Sequence, residues 1–322
     1  MPLLPPASRA YLQNMRATDA APFLPQSLLQ SFAGTFLRDL MTVEGRPAVD
    51  FSKPKGEAAL VPPQSVSWRV FKNPVALFVG GVAAVILELA EPRVRAGVWQ
   101  FTSFRTDPVT RLRRTGLAAM VTVYGAREQA EAMIAGVRRM HEKVSGVTEA
   151  GEPFRATDPD LLDWVQATAA FGFLEAYHHY VHPLSRSMRD RYYGEGKEAA
   201  ALYGATNAPQ SEAELEALFD AMRPRLERSA VILEFLDIMR RAPVFPMPLR
   251  LAQRTLVRAA VELTPPDIRR KLGLENAGLR FGERALVGLA GHLSDRVVID
   301  ASPAVQACKR MGLPRDYLFR LS

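Results

Sequence analysis

An unbroken apolar run from Val75 to Leu87 constrains the fold of this chain more than any other feature. A helix built from it is apolar on every side, so it must be surrounded by protein or by ligand. A membrane span needs about 20 such residues, and this run of 13 ends against Glu88 and Glu91. The run therefore predicts the buried central helix of a globular core.

Gly80 and Gly81 lie in the middle of this helix, where each glycine costs about 1 kcal/mol relative to alanine. Such a cost indicates that another helix, or a flat ligand, approaches the backbone closely there. Tight packing of two helices is the simpler explanation.

The rest of the chain also reads as helical, because apolar residues recur with a period of 3.6 and strand patterns are nearly absent. Helix start signals stand at Asp107-Pro108, Asp158-Pro159, Ser185 and Ser211. The sequence predicts an all-α fold: a single helical domain of about ten helices. The stretch 44–64, with four prolines, is predicted to be an irregular loop.

Composition excludes several classes of protein. Cys308 is the single cysteine, so there is no internal disulfide and no thiolate metal cluster, and the chain suits a reducing compartment. The net charge is +7, but the arginines are scattered and no basic run is interleaved with aromatic residues, so nucleic-acid binding is not expected. Three prolines in the first ten residues interrupt any signal peptide, and we expect a cytoplasmic protein without a transmembrane span.

His141 is the first candidate for chemistry, because it continues an apolar helical stripe formed by residues such as Ala130, Ile134 and Val137. An inward imidazole must be hydrogen-bonded or bound to a metal, since leaving it unpaired costs about 1–3 kcal/mol. Spacing alone is compatible with both a structural histidine and a metal ligand.

The preceding helix carries Arg111, Arg114 and Thr115, which share one helix face at spacings of three and four residues. Two guanidinium groups and a hydroxyl can hold a carboxylate, a phosphate or the propionates of a porphyrin. A solvated helix face is the alternative.

A second cluster combines Glu175, His178, His179 and His182 near the end of one helix. A carboxylate-bridged di-iron site needs two Glu-x-x-His units plus two further glutamates, and the sequence has only one such unit. The cluster leaves a non-haem metal site open as an alternative. Hydrolase, P-loop and dinucleotide-binding motifs are missing.

A series of motifs in a fixed order resembles the catalytic domain of the MpaB-type oxygenases and rubber oxygenases (latex-clearing proteins). The motifs, which span about residues 70 to 275, are NPVALFVGGVAAVILELAEPRVRAGV, SFRTDPVTRLRRT, VYG, RRMHEKVSGV, GEPFRATDPDLLDWVQAT, PLSRSMRDRYYGE and MPLRLAQRTLVRAAVELTPPDIRRKLGL.

The resemblance implies an all-α fold with a globin-like core that binds haem b through one proximal histidine, and His141 occupies the matching position. It also implies that Arg111 and Thr115 lie beside the cofactor. Arg114 stands where rubber oxygenases have a lysine, and we assign it to catalysis. Rubber oxygenases use an acidic residue near the iron as a base, and we place Glu91 in that role, with Glu88 as the other candidate.

Two positions depart from the family pattern. Many bacterial members have histidine where this chain has Glu91 and Gln166. Either change can alter the pocket, and pairing of the glutamates with Arg93 or Arg95 at a helix end is the structural alternative.

The sequence thus predicts three regions: an N-terminal helical arm and loop over residues 1–66, a catalytic domain over 67–280, and a C-terminal helical tail over 281–322 packed on the core. The predicted function is a haem b-dependent oxygenase that activates dioxygen or peroxide and acts on an apolar, unsaturated small molecule. The alternatives are a non-haem metal oxygenase and a haem-binding or haem-sensing protein without turnover. A homodimer is also left open.

Overall fold

The structure is a computed structural model that describes residues 34–35, 39, 41–42, 48–247 and 249–320. Helices dominate this part of the chain, which confirms the all-α prediction. A two-stranded antiparallel hairpin, β1 (Ser145–Val147) paired with β2 (Pro153–Arg155), is the sheet that it contains. The globin-like arrangement implied by the resemblance stays a prediction.

Fourteen α-helices follow one another from residue 66 onward in the described ranges. They are α1 (Val66–Phe71), α2 (Pro74–Ala90), α3 (Pro92–Phe101), α4 (Pro108–Tyr124), α5 (Arg127–His141), α6 (Pro159–Tyr180), α7 (Arg186–Glu195), α8 (Lys197–Tyr203), α9 (Glu212–Met222), α10 (Ala230–Arg241), α11 (Arg250–Leu263), α12 (Pro266–Lys271), α13 (Glu283–Ser294) and α14 (Pro303–Arg310).

Three of the four predicted capping residues cap the helix that follows, whereas Asp158 makes no cap hydrogen bond to α6 and instead accepts from the N–H of Arg155 over 2.8 Å. Asp107, Ser185 and Ser211 each accept a hydrogen bond from a backbone N–H in the first turn of the helix that follows. The helix expected to run from Ser185 to Tyr203 instead divides at Gly196, between α7 and α8. Local capping is therefore readable from sequence, whereas a break inside a helical pattern is not.

The apolar run forms α2, which lies at the centre of the molecule and packs most extensively on α6. Gly80 and Gly172 face each other at this contact. A Cβ atom added to Gly80 would lie 2.6 Å from the carbonyl oxygen of Gly172 and 2.7 Å from Cα of Phe173. The glycine in α2 is thus explained by close helix packing, the simpler of the two explanations that the sequence offered.

Residues 48–65 are packed into the core rather than held away from it. The fully buried guanidinium of Arg310, in α14, donates to the carbonyl oxygens of Phe51, Glu57, Tyr124 and Gly125 over 2.8–3.2 Å. A single buried cation thereby ties the loop before α1 to the end of α4 and to the C-terminal helix. Residues 1–33, which make up half of the predicted N-terminal arm, lie outside the described residues.

A buried ion pair anchors α13. The Lys72 ammonium lies 2.8 Å from a carboxylate oxygen of Asp295, with both side chains completely shielded from solvent. The Asn73 amide donates to the other Asp295 oxygen and to the carbonyl of Gly291, while its own oxygen caps the first turn of α2. The C-terminal region is thus joined to the start of the central helix, and the proposed domain boundaries at 66/67 and 280/281 stay predictions.

No helix in the described ranges is by itself long and apolar enough to cross a membrane, although α2 and α3 together pass that test across a bend of 110°.

The α2–α6 contact predicts that Gly80→Ala destabilises the protein. The added methyl group must push apart two backbones rather than a flexible side chain, which costs about 1–3 kcal/mol. Gly116→Ala is the matched control, because a Cβ atom there meets nothing within 4 Å. Removal of a helical glycine at an open position should instead stabilise by up to about 1 kcal/mol. Thermal denaturation of both variants measures the difference, and equal melting temperatures would contradict the close-packing explanation.

Candidate active site

One face of α2 is covered only in part by the described residues around it. Leu77, Phe78, Gly81, Val85 and Glu88 are half-buried, while nearly all the residues between them are fully buried. Their spacing of three to four residues places them along one side of the helix. We call these five residues the open face of α2. It is an apolar surface, about 16 Å long at 1.5 Å per residue, that ends in a single carboxylate.

Glu88 has an unusual titration for a glutamate. Burial raises its pKa from 4.5 to about 7, although the nearby positive charge of Arg111 acts in the opposite direction. The side chain therefore exists as both carboxyl and carboxylate near neutral pH, which is the property that a general acid or base requires.

Arg111 faces Glu88 from α4. Burial lowers its pKa, Glu88 acts to raise it, and the charge of Arg114 lowers it further. The guanidinium donates to the Thr115 hydroxyl, which itself donates to the Arg111 carbonyl oxygen over 3.0 Å. Asp107 fixes this end of α4 by accepting from the N–H of Thr110 over 3.2 Å. The shared helix face predicted for Arg111 and Thr115 is present, and Arg114 lies close by and exposed.

His141 is the last residue of α5 and is half-buried. Burial lowers the pKa of its imidazole, and the positive charge of Arg111 lowers it further, so the ring is neutral at pH 7. Its Nδ1 atom is shielded from solvent and has no hydrogen-bond partner. A neutral, unpartnered imidazole nitrogen is the form in which histidine binds a metal.

Arg111 on α4 thus interacts electrostatically with Glu88 on α2 and with His141 on α5. Sequence spacing placed His141 on an inward face and Arg111 on a face shared with Thr115, but it gave no distance between their helices. Glu88 was named only as a second candidate. The signal that favours it is visible in retrospect, because it is the single charged residue of α2.

Glu91 does not join this group. Its side chain is completely buried, accepts from the N–H of Val94 over 2.8 Å, and caps α3. It also lies 2.8 Å from Nε of Arg93 and 3.5 Å from Nε of Arg225. These contacts are the helix-end pairing that the sequence left open as an alternative, and they do not support the catalytic role predicted for Glu91.

Gln166 is half-buried on α6, seven residues before Phe173 and hence on the same helix face. A Cβ atom on Gly81 would lie 3.8 Å from the Phe173 ring, so this face of α6 borders the open face of α2. Gln166, one of the two positions where many members of the resembled family have histidine, therefore lies on the helix face that borders the open face of α2. Glu91, the other such position, caps a helix.

The histidine cluster on α6 does not converge. His178 Nδ1 accepts from the backbone N–H of Leu184, and His179 lies 3.2 Å from a Glu175 oxygen. His182 turns toward Asp295, 3.4 Å away. Within the described ranges, no three His, Cys, Asp or Glu side chains lie close enough to hold a metal ion. The geometry thus gives no support to the non-haem alternative.

Two shallow surface depressions, of about 550 and 600 Å³, lie elsewhere on the molecule. One covers the β1–β2 hairpin, and the other lies between the loop around Asp50 and the end of α14. Neither contains a histidine or a residue of the open face of α2, so neither competes with the Glu88, Arg111 and His141 group as a reactive site.

The raised pKa of Glu88 predicts a pH-dependent stability. A carboxyl whose folded pKa lies above its unfolded value contributes stability that is complete below pH 4.5 and is lost as the pH rises through about 7. Glu88→Gln should therefore match the wild type at pH 4 and exceed its free energy of unfolding at pH 8 by up to about 3 kcal/mol. Urea denaturation at the two pH values measures this difference.

Glu216→Gln is the control, because this glutamate is exposed on α9. The free energy of unfolding of this variant should stay within about 0.5 kcal/mol of the wild type at both pH values. A Glu88→Gln difference that is the same at pH 4 and pH 8 would show that Glu88 is an ordinary surface carboxylate.

Residues 68–292 match the family model described as "ER-bound oxygenase mpaB/B'/Rubber oxygenase, catalytic domain". The match covers 225 of the 322 residues and includes α2, α4, α5 and α6, the helices that form and border the candidate site. No curated protein and no solved structure matches the chain. The matched residues show that the chain belongs to the family of mpaB and rubber oxygenase catalytic domains.

Proposed function

We propose that this protein is a haem b-dependent oxygenase that acts on an apolar, unsaturated small molecule. The observation that carries the proposal is the imidazole of His141, which is neutral and half-buried and has a shielded nitrogen without a partner. It lies near Arg111, which in turn faces Glu88 at the end of an apolar helix face. The family supplies the general oxygenase activity.

The donor set favours haem over a metal ion held by the protein alone. A protein-bound iron or zinc takes at least three ligands from side chains, and no such group of three exists in the described ranges. Haem brings four nitrogen ligands of its own and needs one imidazole from the protein. His141 meets that need.

The other parts of the site fit the remaining surface of a porphyrin. The guanidinium groups of Arg111 and Arg114 can bind its two propionates through charge-assisted hydrogen bonds. Thr115 holds Arg111 in place. Leu77, Gly81 and Val85 offer an apolar wall, and the missing side chain of Gly81 leaves room for a flat ring or for substrate.

When bound, haem supplies the activation of dioxygen or peroxide that the apolar residues of this site cannot provide. Glu88 moves the proton: with a pKa of about 7 its carboxylate accepts a proton from an activated carbon or oxygen, and its carboxyl returns one. Arg111 keeps part of the Glu88 population ionised. The apolar side chains of the open face of α2 bind an apolar substrate without ion pairing.

The assignment of His141 predicts that His141→Ala loses haem. Loss of the imidazole that would hold the haem should reduce the Soret absorbance and the pyridine haemochrome at least tenfold, while the helical circular dichroism signal is retained, because burial at this helix end is only partial. His179→Ala is the matched control, since this imidazole is exposed and pairs with Glu175. Unchanged haem content in the His141 variant would disprove the assignment.

Turnover separates an oxygenase from a haem-binding or haem-sensing protein. With an apolar alkene and dioxygen, the loaded protein should consume oxygen, and the rate should rise as the pH passes through about 7 because the carboxylate form of Glu88 becomes populated. Glu88→Gln should remove this pH dependence and lower the rate at least tenfold without lowering haem content. Haem binding without oxygen consumption would favour the sensing alternative.

A further inference from the structure

Helix α13 presents an apolar stripe to solvent. Leu286, Leu289 and Leu293 are 54–63% exposed, and their spacing of three and four residues places them on one face. Phe281, just before the helix, is fully exposed. The opposite side of α13 is anchored in the protein, since Val287 and Gly291 are buried there. Solvent exposure of this stripe is therefore a feature of a firmly held helix.

A second group of exposed apolar residues lies at the start of α11. Met247, Leu249 and Leu251 lie in the α10–α11 connection and the first turn of α11, and Leu251 is 77% exposed. Helix α11 packs directly on α13, and the Arg258–Glu283 ion pair joins the two helices. We call the combined surface the apolar patch. Its members are Met247, Leu249, Leu251, Phe281, Leu286, Leu289 and Leu293.

The charges around the apolar patch have one sign. Five exposed arginines flank it on the same two helices and their ends: Arg250, Arg254, Arg280, Arg284 and Arg296. The three carboxylates on these two helices and their ends are already paired: Glu262 with Arg269, Glu283 with Arg258, and the buried Asp295 with Lys72. The result is a set of protruding leucines and a phenylalanine inside a positive rim.

We propose that the apolar patch is a peripheral docking surface for an anionic lipid bilayer. Leucine and phenylalanine side chains enter the boundary between headgroups and acyl chains, while arginines bind lipid phosphates at the level of the headgroups. The positive rim decides the occupant, because it complements the negative surface of a leaflet that carries anionic lipids. A second copy of this chain would bring an equally positive rim against the first.

Docking through the apolar patch would deliver an apolar substrate to the candidate site, and this inference rests on the proposed function. Phe245, in the same α10–α11 connection, packs against Phe78 with ring centroids 4.9 Å apart. Phe78 belongs to the open face of α2, whose other end carries Glu88. An apolar substrate dissolved in the bilayer thus meets the patch at one end of the face that leads to His141 and Arg111.

Vesicle sedimentation with the full-length protein tests the proposal. One set of vesicles contains phosphatidylcholine alone, and the other contains about 30% phosphatidylglycerol to give a negative surface. The wild type should bind the anionic vesicles at least tenfold more tightly, and the difference should shrink when the salt concentration is raised, because surface charges are screened.

Two variants test the apolar and the charged contributions to vesicle binding separately. The triple variant Leu286→Ser, Leu289→Ser, Leu293→Ser should lower binding to anionic vesicles at least tenfold, since each inserted leucine contributes apolar burial. The triple variant Arg250→Gln, Arg254→Gln, Arg284→Gln should abolish the preference for anionic vesicles. Val147→Ser is the matched control: this valine is similarly exposed but lies on the hairpin beside α3, which follows the opposite end of α2.

Three outcomes would overturn the proposal. They are failure of the wild type to bind either kind of vesicle, unchanged binding by the leucine variant, and a wild-type dimer in solution that the leucine variant converts to a monomer. The haem content of the leucine variant, measured without vesicles, separates this proposal from the proposed function. If the leucine variant loses vesicle binding but keeps its haem, the result bears on the apolar patch and not on the haem site. If the wild type contains no haem, the proposed function fails, whereas the docking proposal is still tested by vesicle binding.

Discussion

The contact between α2 and α6 at Gly80 and Gly172 is the constraint on which the rest of the structure depends. Two backbones touch there because neither residue carries a Cβ atom. Close approach on this side of α2 lets the surrounding helices bury most of an apolar segment that could not otherwise remain in water. It also leaves the other side of α2 free to form an open face. One side of α2 thus packs against α6, and the other side carries the open face of the candidate site.

The candidate site takes its chemistry from incomplete burial. Glu88, Arg111 and His141 are surrounded by protein yet remain partly accessible, so the ionised forms of all three groups are disfavoured. The charge of Arg111 also affects the protonation of the other two groups, because it favours the carboxylate of Glu88 and the neutral ring of His141. Arg111 therefore influences both a proton acceptor on α2 and an imidazole on α5.

Buried charge has a different role elsewhere in the molecule. Arg310 and the Lys72–Asp295 pair are fully buried. Their hydrogen-bond and ion-pair partners come from distant parts of the chain, so these charges hold those parts together. Loss of one partner from such a group leaves an unpaired buried charge, which is strongly destabilising. Arg310 and the Lys72–Asp295 pair have partners for their charged groups, whereas Nδ1 of His141 has no hydrogen-bond partner.

The sequence by itself determined the helical class, the central helix, most helix starts and the inward position of His141, because these follow from periodicity and capping within about 20 neighbouring residues. It also indicated the family through the order of its motifs. Only the tertiary structure decided between Glu88 and Glu91, since both end the same apolar run and only packing shows that one caps α3 while the other faces Arg111. The break at Gly196, the ties made by Arg310 and the scattered partners of the α6 histidines were likewise not predictable. Each depends on residues far apart in the chain, and spacing along one helix carries no information about what another helix brings to meet it.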